Sequence, residues 1–316
     1  MFKEPSLAQL RYFVAVARSG NMTAAAADLH VTQATVSIAM TQLEQIYGID
    51  LFVRVPRKGV RLTPAGRRLL VAAESILDDV QALPESIARG HGDLHGRLSV
   101  GLYGPIAPSR VPVIAGCMAE RYPGVELTFL EGDLEPLLSM VRTGECELAV
   151  MYDFGVDEQF DVLTVERIPP HLLVAASHRL VEAGRSEASL HEVARDPFVL
   201  LTLRHARPHY LNYFKILGIV PWIRHMTPNY ETLRSYVAAG QGYSILNQRL
   251  GLDQAYTGGR VVALDIREEL PPVELCLVKL RGVGLSRKAA AFVDACSGAL
   301  GWDVAVGDST WRSATR

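Results

Sequence analysis

The sequence lacks the features of a membrane or disulfide-rich protein. No apolar run approaches the roughly 18 residues that span a bilayer, although 49% of the 316 residues are hydrophobic. The first residues lack the charged-then-apolar layout of a secretory signal. We therefore expect a soluble, cytoplasmic protein with a sizeable core. Cysteines are few and far apart, which favours buried free thiols, with a metal site or a redox switch as the alternatives. They are Cys117, Cys146, Cys276 and Cys296.

The short motifs of common catalytic sites are also missing. No GxSxG nucleophile elbow, HExxH zinc helix or phosphate-cradling GxxxxGK[ST] loop occurs in the sequence. His91 and His95 stand four residues apart in a glycine-rich joint without a third ligand nearby, so metal binding is the less favoured interpretation. We therefore predict that the chain is not an enzyme, and we expect no catalytic residue, no metal and no other cofactor.

Charge is unevenly distributed along the chain. The formal net charge is −2, but residues 1–70 carry nine Lys and Arg against four Asp and Glu. Residues 71–316 carry 23 against 30. A basic N-terminal module followed by an acidic remainder indicates an N-terminal nucleic-acid-binding domain joined to a region with another function. The length of 316 residues allows two or three domains.

The stretch 21–47, NMTAAAADLHVTQATVSIAMTQLEQIY, predicts two short helices separated by a tight turn. Asn21 or Thr23 can cap the first and Thr32 the second, because each side-chain oxygen can accept an otherwise unpaired backbone N–H. Before them, Ser6 and Gln9 form a capping-box pattern that predicts a supporting helix. The second helix would bury an apolar stripe formed by Val36, Met40, Leu43 and Tyr47. This pattern is typical of a helix-turn-helix, with an ordinary helical hairpin as the alternative.

Two short apolar segments, 51–54 and 60–62, flank a basic turn that contains Gly59. They predict a β-hairpin that forms the wing of a winged helix. Contact with DNA phosphates is favoured over a merely solvated hairpin face, because such contacts supply most of the affinity for DNA. The basic residues of the wing are Arg54, Arg57, Lys58 and Arg61.

A long helix is predicted after the wing, because Thr63 can cap it and Pro64 suits its first position. The apolar stripe of this helix continues for about six turns. Because the preceding small domain offers no obvious surface to cover the stripe, we predict that the helix dimerises. Pro84 should kink or end the helix. The predicted dimerisation residues are Leu69, Leu70, Ala73, Ile76, Leu77 and Val80.

Beyond Gly96, strands alternate with helices, which predicts an α/β domain with a parallel sheet and crossover helices. Pro-Pro pairs at 169–170 and 271–272 divide this region. They predict two lobes: lobe I, about 96–168 and 270–301, and lobe II, about 169–269, inserted between its parts. Residues 302–316 lack an apolar period and are expected to form a flexible tail. Strands are predicted at 97–102, 125–130, 148–152, 172–176, 198–201, 243–246 and 273–278, and helices at 111–121, 134–143, 210–217, 230–239 and 286–300.

The sequence resembles the LysR-type transcriptional regulators. The stretch AAAADLHVTQATVSIAMTQLEQIYGIDLFVR, followed by RLTPAGRRLL, carries the resemblance in the N-terminal part, and RLSVGLYGPIAP, YPGVELTFLEGDLEPLLSMVRTGECELAVMY and YVAAGQGYSIL extend it. It covers residues 6 to about 300. It implies a winged helix-turn-helix domain at 1–63, a dimerising linker helix at 64–90 and a two-lobed effector domain at 91–301 that is similar to periplasmic binding proteins. It also implies promoter DNA, a small effector, RNA polymerase and further copies of the chain, as dimer or tetramer, as partners.

DNA recognition is predicted to centre on the start of the second helix of the pair. Gln33 can bond adenine bidentately, and the methyl groups of Ala34 or Thr35 can touch a thymine methyl. The family commonly has an arginine at the position of Ile38 and a basic residue at that of Thr41, so the wing here must supply more of the affinity. The predicted DNA contacts are Thr32, Gln33, Ala34, Thr35, Ser37, Ile38 and Thr41, together with the four wing residues.

Effector contacts are predicted where strands end, because ligands of open α/β sheets bind beyond the carboxyl ends of strands and at helix N-termini. Three tyrosines among them predict a small effector with an aromatic or aliphatic body, with one carboxylate bonded by Thr202 or Arg204. The predicted residues are Tyr103, Gly104, Pro105, Ile106, Glu131, Asp133, Tyr152, Leu201, Thr202, Arg204, Asn229, Tyr230 and Asn247.

A second hypothesis comes from a different class of protein. The chain could be a small-molecule-binding or enzymatic α/β protein whose N-terminal helices serve only assembly. The charge difference between the two parts and the basic wing favour the regulator. A salt-dependent shift of promoter DNA by the purified protein separates the two hypotheses.

Overall fold

The computed structural model describes residues 4–55, 59–89, 94–302 and 311–313. None of the helices in these ranges is long and apolar enough to cross a membrane. Three helices, a hairpin and a long helix form the N-terminal part. Their bounds are α1 Leu7–Ser19, α2 Met22–Asp28, α3 Gln33–Tyr47, β1 Phe52–Val55, β2 Gly59–Leu62 and α4 Pro64–Arg89.

The predicted caps are present in the N-terminal domain. Ser6 and Gln9 form the capping box of α1, the Asn21 side chain accepts from the backbone of α2, and the Thr32 side chain accepts from the Thr35 N–H. The helices enclose a core that includes Phe13, Val36, Met40 and Leu43. Tyr47 was predicted to belong to this stripe, but it is 44% exposed. The prediction is wrong because Tyr47 is the last residue of α3 and lies beyond the core.

The long helix α4 is covered within its own chain more than the sequence predicts. Ala73 and Leu77 are buried in the N-terminal core, against which Leu69 and Leu70 also pack, and Arg18 of α1 forms an ion pair with Glu74. The assignment of Ala73 and Leu77 to a dimer seam is therefore wrong: α1 lies against this side of α4. Ile76 is 44% exposed and Val80 half-buried, which leaves them available to a partner.

Helix α4 also continues past Pro84 to Arg89. Of the two predicted outcomes, this proline therefore does not end the helix, and a kink there stays a prediction. Near its start, α4 rests on the effector domain. A Cβ on Gly144 would lie 2.8 Å from the Arg67 carbonyl oxygen and 2.8 Å from Val71 Cγ2. Only a glycine permits this approach, which therefore sets how α4 meets lobe I.

The effector domain consists of two lobes built around separate cores. The first pass through lobe I contains β3 Gly96–Tyr103, α5 Ala107–Arg121, β4 Val125–Gly132, α6 Leu134–Thr143, β5 Leu148–Tyr152 and β6 Phe160–Ile168. Lobe II contains β7 His171–Ala175, α7 Arg179–Glu182, β8 Glu187–Ala188, β9 Pro197–Leu201, α8 Ala206–Ile216, β10 Trp222–Thr227, α9 Tyr230–Ala238, β11 Ser244–Leu246 and β12 Val261–Ile266. The chain then returns to lobe I as β13 Val273–Leu280, α10 Arg287–Leu300 and β14 Arg312–Ser313.

The main sheet has the order β14-β6-β13-β5-β3-β4. Strand β3 is parallel to β4 and β5, but β13 is antiparallel to both β5 and β6. The prediction of a parallel sheet therefore holds only for the first three strands. Since β13 returns from lobe II, it enters the sheet from the opposite end. In lobe II, β11 and β12 flank β7, and β9 pairs with β10.

The segment after α10 is not a loose tail at its described residues. Trp302 is only 4% exposed. Trp311 packs against the core of lobe I, its ring 5.1 Å from Lys279 Nζ, and Arg312 pairs with Val162 of β6. The structure therefore differs from the expected flexible tail at Trp302 and at 311–313, because the two tryptophans pack against lobe I. For the rest of the tail the expectation lies outside the described residues.

The burial of Leu77 and the exposure of Ile76 lead to a paired prediction. Leu77→Asp should unfold the N-terminal domain, because it places an unpaired charge in the core, and Ile76→Asp should leave the fold intact but lower the oligomer mass. Helical circular dichroism and light scattering on the full chain measure the two effects. A well-folded Leu77→Asp protein, or an Ile76→Asp protein with unchanged mass, would contradict this account of α4.

Candidate DNA interface and effector cleft

The predicted DNA-contacting residues of α3 share one outward face. Gln33, Ala34 and Thr35 are exposed at the start of the helix, and Ser37 is half-buried. Ile38 on the same face is 58% exposed, an unusual position for a large apolar side chain. Since α3 buries its opposite side, this face is free to contact another molecule.

The turn before α3 is built by the backbone. His30 adopts a positive φ of 55°, a conformation uncommon for residues other than glycine. The N–H groups of His30 and Val31 donate to the carbonyl oxygens of Ala27 and Ala26, at 3.1 and 3.0 Å. These hydrogen bonds terminate α2 and fix the turn that leads into α3. The sequence predicted a tight connection here but carried no signal for the left-handed histidine.

The wing is held at a fixed position relative to α3. Glu44 on α3 accepts hydrogen bonds from the backbone N–H groups of Leu51 and Phe52, at 2.8 and 3.2 Å. At the other strand, the Val60 N–H donates to the Gly20 carbonyl oxygen at 2.8 Å. A Cβ on Gly59 would lie 2.2 Å from that same oxygen, so this position requires glycine.

The structure describes the side chain of one of the four basic wing residues. Arg61 lies on β2 opposite Val53 and is exposed. Arg57, Lys58 and the side chain of Arg54 lie outside the described residues. Arg61 therefore places one exposed positive charge on the wing, as phosphate contact requires.

Aromatic side chains from both lobes meet between the lobes, where Tyr103 and Tyr152 are largely buried. The Tyr103 ring at the end of β3 lies 5.4 Å from that of Tyr152 at the end of β5, and Phe154 continues the row at 5.7 Å. Phe154 then contacts His209 of lobe II at 5.2 Å. We call this row, together with Tyr210, Tyr213 and Tyr230, the aromatic cleft.

Burial keeps the phenol groups of the aromatic cleft neutral. It raises the pKa of Tyr213 to about 12, and also raises the pKa of Tyr103, Tyr152 and Tyr230. Tyr213 Oη also donates to the carbonyl oxygen of Pro271, just before β13, at 3.0 Å, and lies 2.5 Å from Nε2 of His209 on the same helix. Uncharged rings favour a ligand with an apolar or aromatic body.

The structure brings together only some of the predicted effector residues. Tyr103, Tyr152 and Tyr230 approach one another around Tyr210, whose pKa is raised by burial and by these neighbours. Gly104 and Pro105 follow Tyr103 directly and lie at the same strand end. Sequence reasoning missed His209, Tyr210 and Tyr213, although their spacing on one helix was a usable signal.

Other residues that were predicted to contact the effector have a structural role or lie elsewhere. Asp133 and Asn229 cap α6 and α9 through their side-chain oxygens. Ile106 and Leu201 are buried in the cores of lobes I and II, so a contact through these two side chains is not supported. Glu131 and Arg204 are exposed and Thr202 is half-buried, whereas Asn247 is 1% exposed beside the crossing between the lobes.

Comparison with known proteins gives the family. A family model described as "Bacterial regulatory helix-turn-helix protein, lysR family" matches residues 7–67, and one described as "LysR substrate binding domain" matches residues 91–301. The chain belongs to the LysR family of DNA-binding transcriptional regulators with an effector-binding domain. Members of this family bind promoter DNA and small-molecule effectors and form oligomers.

Individual relatives agree with this family. The HTH-type transcriptional regulator CfxR of Cupriavidus necator is 32% identical over 274 residues, covering 83% of this chain and 81% of the relative. A probable hydrogen peroxide-inducible genes activator of Mycobacterium xenopi is 38% identical over 148 residues, 47% of this chain and 78% of the relative. The crystal structure of HinK, a LysR family regulator from Pseudomonas aeruginosa, has a TM-score of 0.63 at 28% identity, covering 93% of this chain and 98% of that one.

Two histidines, His171 buried and His209 half-buried, predict how stability depends on pH. Burial lowers the pKa of His209 to about 4 and that of His171 to about 3, from a usual 6.5. Below pH 6.5 the unfolded chain therefore binds protons that the folded chain does not, and stability falls as the pH is lowered toward 4. His209→Gln should make the unfolding temperature depend less on pH in this window. An unchanged slope would contradict the burial of a neutral His209.

Proposed function

We propose that this chain reads promoter DNA with α3 and its wing, and that a small effector in the aromatic cleft switches its effect on transcription. The observation that carries the proposal is the outward face of α3, which is polar at its start. It is accompanied by an exposed arginine on the wing that Glu44 holds to α3. The charge excess of residues 1–70 supports the same role.

Base reading is proposed for the start of α3. Gln33 can bond an adenine bidentately, and Ala34, Thr35 and Ile38 offer methyl groups to thymine. Thr32 at the helix N-terminus would bond a phosphate, where unpaired N–H groups favour an anion. The Thr41 hydroxyl donates to the Ser37 carbonyl oxygen at 3.1 Å, so its contribution would be through its methyl group.

For the effector, we propose a small molecule with an aromatic or aliphatic body and one carboxylate. The neutral rings of the aromatic cleft would pack against the body, and Thr202 or Arg204 would bond the carboxylate. Binding there would change the relative stability of two arrangements of the lobes, which requires different affinities for the two.

The peroxide response named for some relatives is not part of this proposal. A reactive cysteine must reach the thiolate form, but burial raises the pKa of Cys146 to about 12 and also raises that of Cys296. Cys276 is buried too, and Cys117 is half-buried with its thiol 3.6 Å from the Ala295 carbonyl oxygen. All four lie in lobe I, away from the aromatic residues of lobe II.

Assembly is proposed to use two apolar surfaces. The first is the exposed side of α4 around Ile76. The second is the outer edge of β10, where Trp222 and Met226 are 57% and 61% exposed. An unpaired strand edge with apolar side chains favours association with another chain. We also propose that the chain acts in the cytoplasm and contacts RNA polymerase.

The base-reading role is tested by a matched pair of glutamines on α3. Gln33→Ala should weaken binding to the specific site by about 1–3 kcal/mol and relax the preference at one base pair. Gln45→Ala removes the same side chain from an exposed position near the far end of α3 and should have little effect. Quantitative band shifts on specific and random duplexes measure both. An equal loss on random DNA would refute base reading by Gln33.

The wing is tested through its salt dependence. Arg61→Ala should weaken binding to all sequences alike and flatten the slope of log K against log salt by about one unit. Arg185→Ala, in lobe II, removes an arginine that pairs with Glu192 and is the control. An Arg61→Ala protein with the wild-type slope would show that this residue does not contact phosphate.

The effector assignment is tested by thermal-shift screening of aromatic and aliphatic acids. For a stabilising acid, Thr202→Val or Arg204→Gln should reduce the shift, since each removes a proposed carboxylate donor. Arg207→Gln changes another exposed arginine nearby and is the control. A hit whose shift survives both Thr202→Val and Arg204→Gln would place the carboxylate elsewhere.

A further inference from the structure

Helix α3 carries no positive charge. Its sequence, QATVSIAMTQLEQIY, contains neither lysine nor arginine, and its one acidic residue, Glu44, is engaged with the backbone N–H groups of Leu51 and Phe52. Guanine presents two acceptors in the major groove, and the side chains that most commonly bond them are those of arginine and lysine. Helix α3 therefore lacks the side chains that most often read guanine.

Both threonines of α3 use their hydroxyl groups close to their own backbone. Thr35 Oγ1 lies 2.9 Å from Oγ1 of the capping Thr32, which also accepts from the Thr35 N–H at 3.2 Å. Thr41 Oγ1 donates to the Ser37 carbonyl oxygen at 3.1 Å. A hydroxyl that is bonded locally has less capacity left for a base, whereas the methyl group of a threonine needs no hydrogen-bond partner. Thr35 and Thr41, which are both exposed, can therefore contribute apolar surface.

An exposed apolar stripe runs along the outward face of α3. Ile38 is 58% exposed, and Ala34 and Thr41, four residues before it and three after it, are exposed as well. Residues at these spacings are neighbours on the surface of a helix. We call Ala34, Ile38 and Thr41 the methyl stripe. Because isoleucine is β-branched, its χ1 angle is nearly fixed in a helix, so Ile38 loses little side-chain freedom when it meets a partner.

The chemistry of the major groove identifies the group that fits this stripe. Residues 1–70 carry nine Lys and Arg against four Asp and Glu, which favours DNA as the partner of this domain. The C5-methyl group of thymine is the apolar group on the base edges of that groove. Uracil lacks this methyl group, and cytosine has a hydrogen atom on the same ring carbon. 5-Methylcytosine carries the methyl group at the same position as thymine.

We propose that the methyl stripe recognises the C5-methyl group of a pyrimidine as such, with Ile38 as the residue that determines this specificity. The stripe distinguishes thymine from uracil, and 5-methylcytosine from cytosine, by burial of one methyl group against Ile38. Methylation of cytosine at this position of a promoter therefore raises the affinity of the chain for that promoter. The inference rests on the proposed function as a DNA-reading regulator and adds the chemical group that is read.

The proposal is tested with the full chain and a duplex that the chain selects from a random pool. Each thymine of the selected motif is replaced in turn by deoxyuridine, and at least one replacement should weaken binding about fourfold, the loss expected for one buried methyl group. At that position, a 5-methylcytosine·guanine pair should bind about fourfold more tightly than a cytosine·guanine pair. Equal affinity for thymine and uracil at every position, or for methylated and unmethylated cytosine, would overturn the proposal.

A matched pair of isoleucines assigns the methyl preference to one residue. Ile38→Ala should bind the thymine and uracil duplexes equally well and should also lose the preference for 5-methylcytosine. Ile49→Ala makes the same change at a position that is 48% exposed just beyond the end of α3, and it should keep both fourfold preferences. Circular dichroism verifies that both variants fold.

The outcomes separate this inference from the proposed function. An Ile38→Ala protein that keeps the preferences, or an Ile49→Ala protein that loses them, would overturn the role of Ile38. A wild-type chain that selects a motif but does not distinguish uracil from thymine would overturn the methyl reading and leave the proposed function standing. A chain that selects no motif would overturn both.

Discussion

The architecture of the effector domain depends on one pairing, that of β6 with β13. These strands are antiparallel neighbours from Val273 opposite Ile168 to Leu280 opposite Phe160, and lobe II is inserted between them. The two segments that connect lobe I with lobe II therefore leave the main sheet side by side. Two separately packed lobes are therefore joined through one pair of adjacent crossings.

Much of this could be predicted from the sequence because the signals were local. Ser6, Asn21, Thr32 and Thr63 marked helix starts through side-chain hydrogen bonds that involve only near neighbours. The polar start of α3 and the glycine-containing basic turn likewise depend on short spacings, so the helix pair and the hairpin were predictable. Periodicity also gave most strands of the effector domain.

What could not be predicted depends on contacts between distant residues. Strands β6, β10 and β12 were missed: β6 mixes charged and apolar residues, and β10 is largely exposed at an edge. The burial of Leu77 by α1 could not be predicted, because an apolar stripe in a sequence does not identify the element that packs against the stripe. The same limit applies to the cleft, where Asp133 and Asn229 turned out to cap helices while His209 of α8 meets Phe154.

The central claim, that this chain is a sequence-reading regulator, is tested most directly by selection from random DNA. The purified full chain is mixed with a pool of random duplexes, and the bound fraction is sequenced over successive rounds. The account predicts enrichment of one motif with two related half-sites, because the proposed symmetric dimer would present α3 twice. A bound pool that stays as random as the starting pool would contradict the claim.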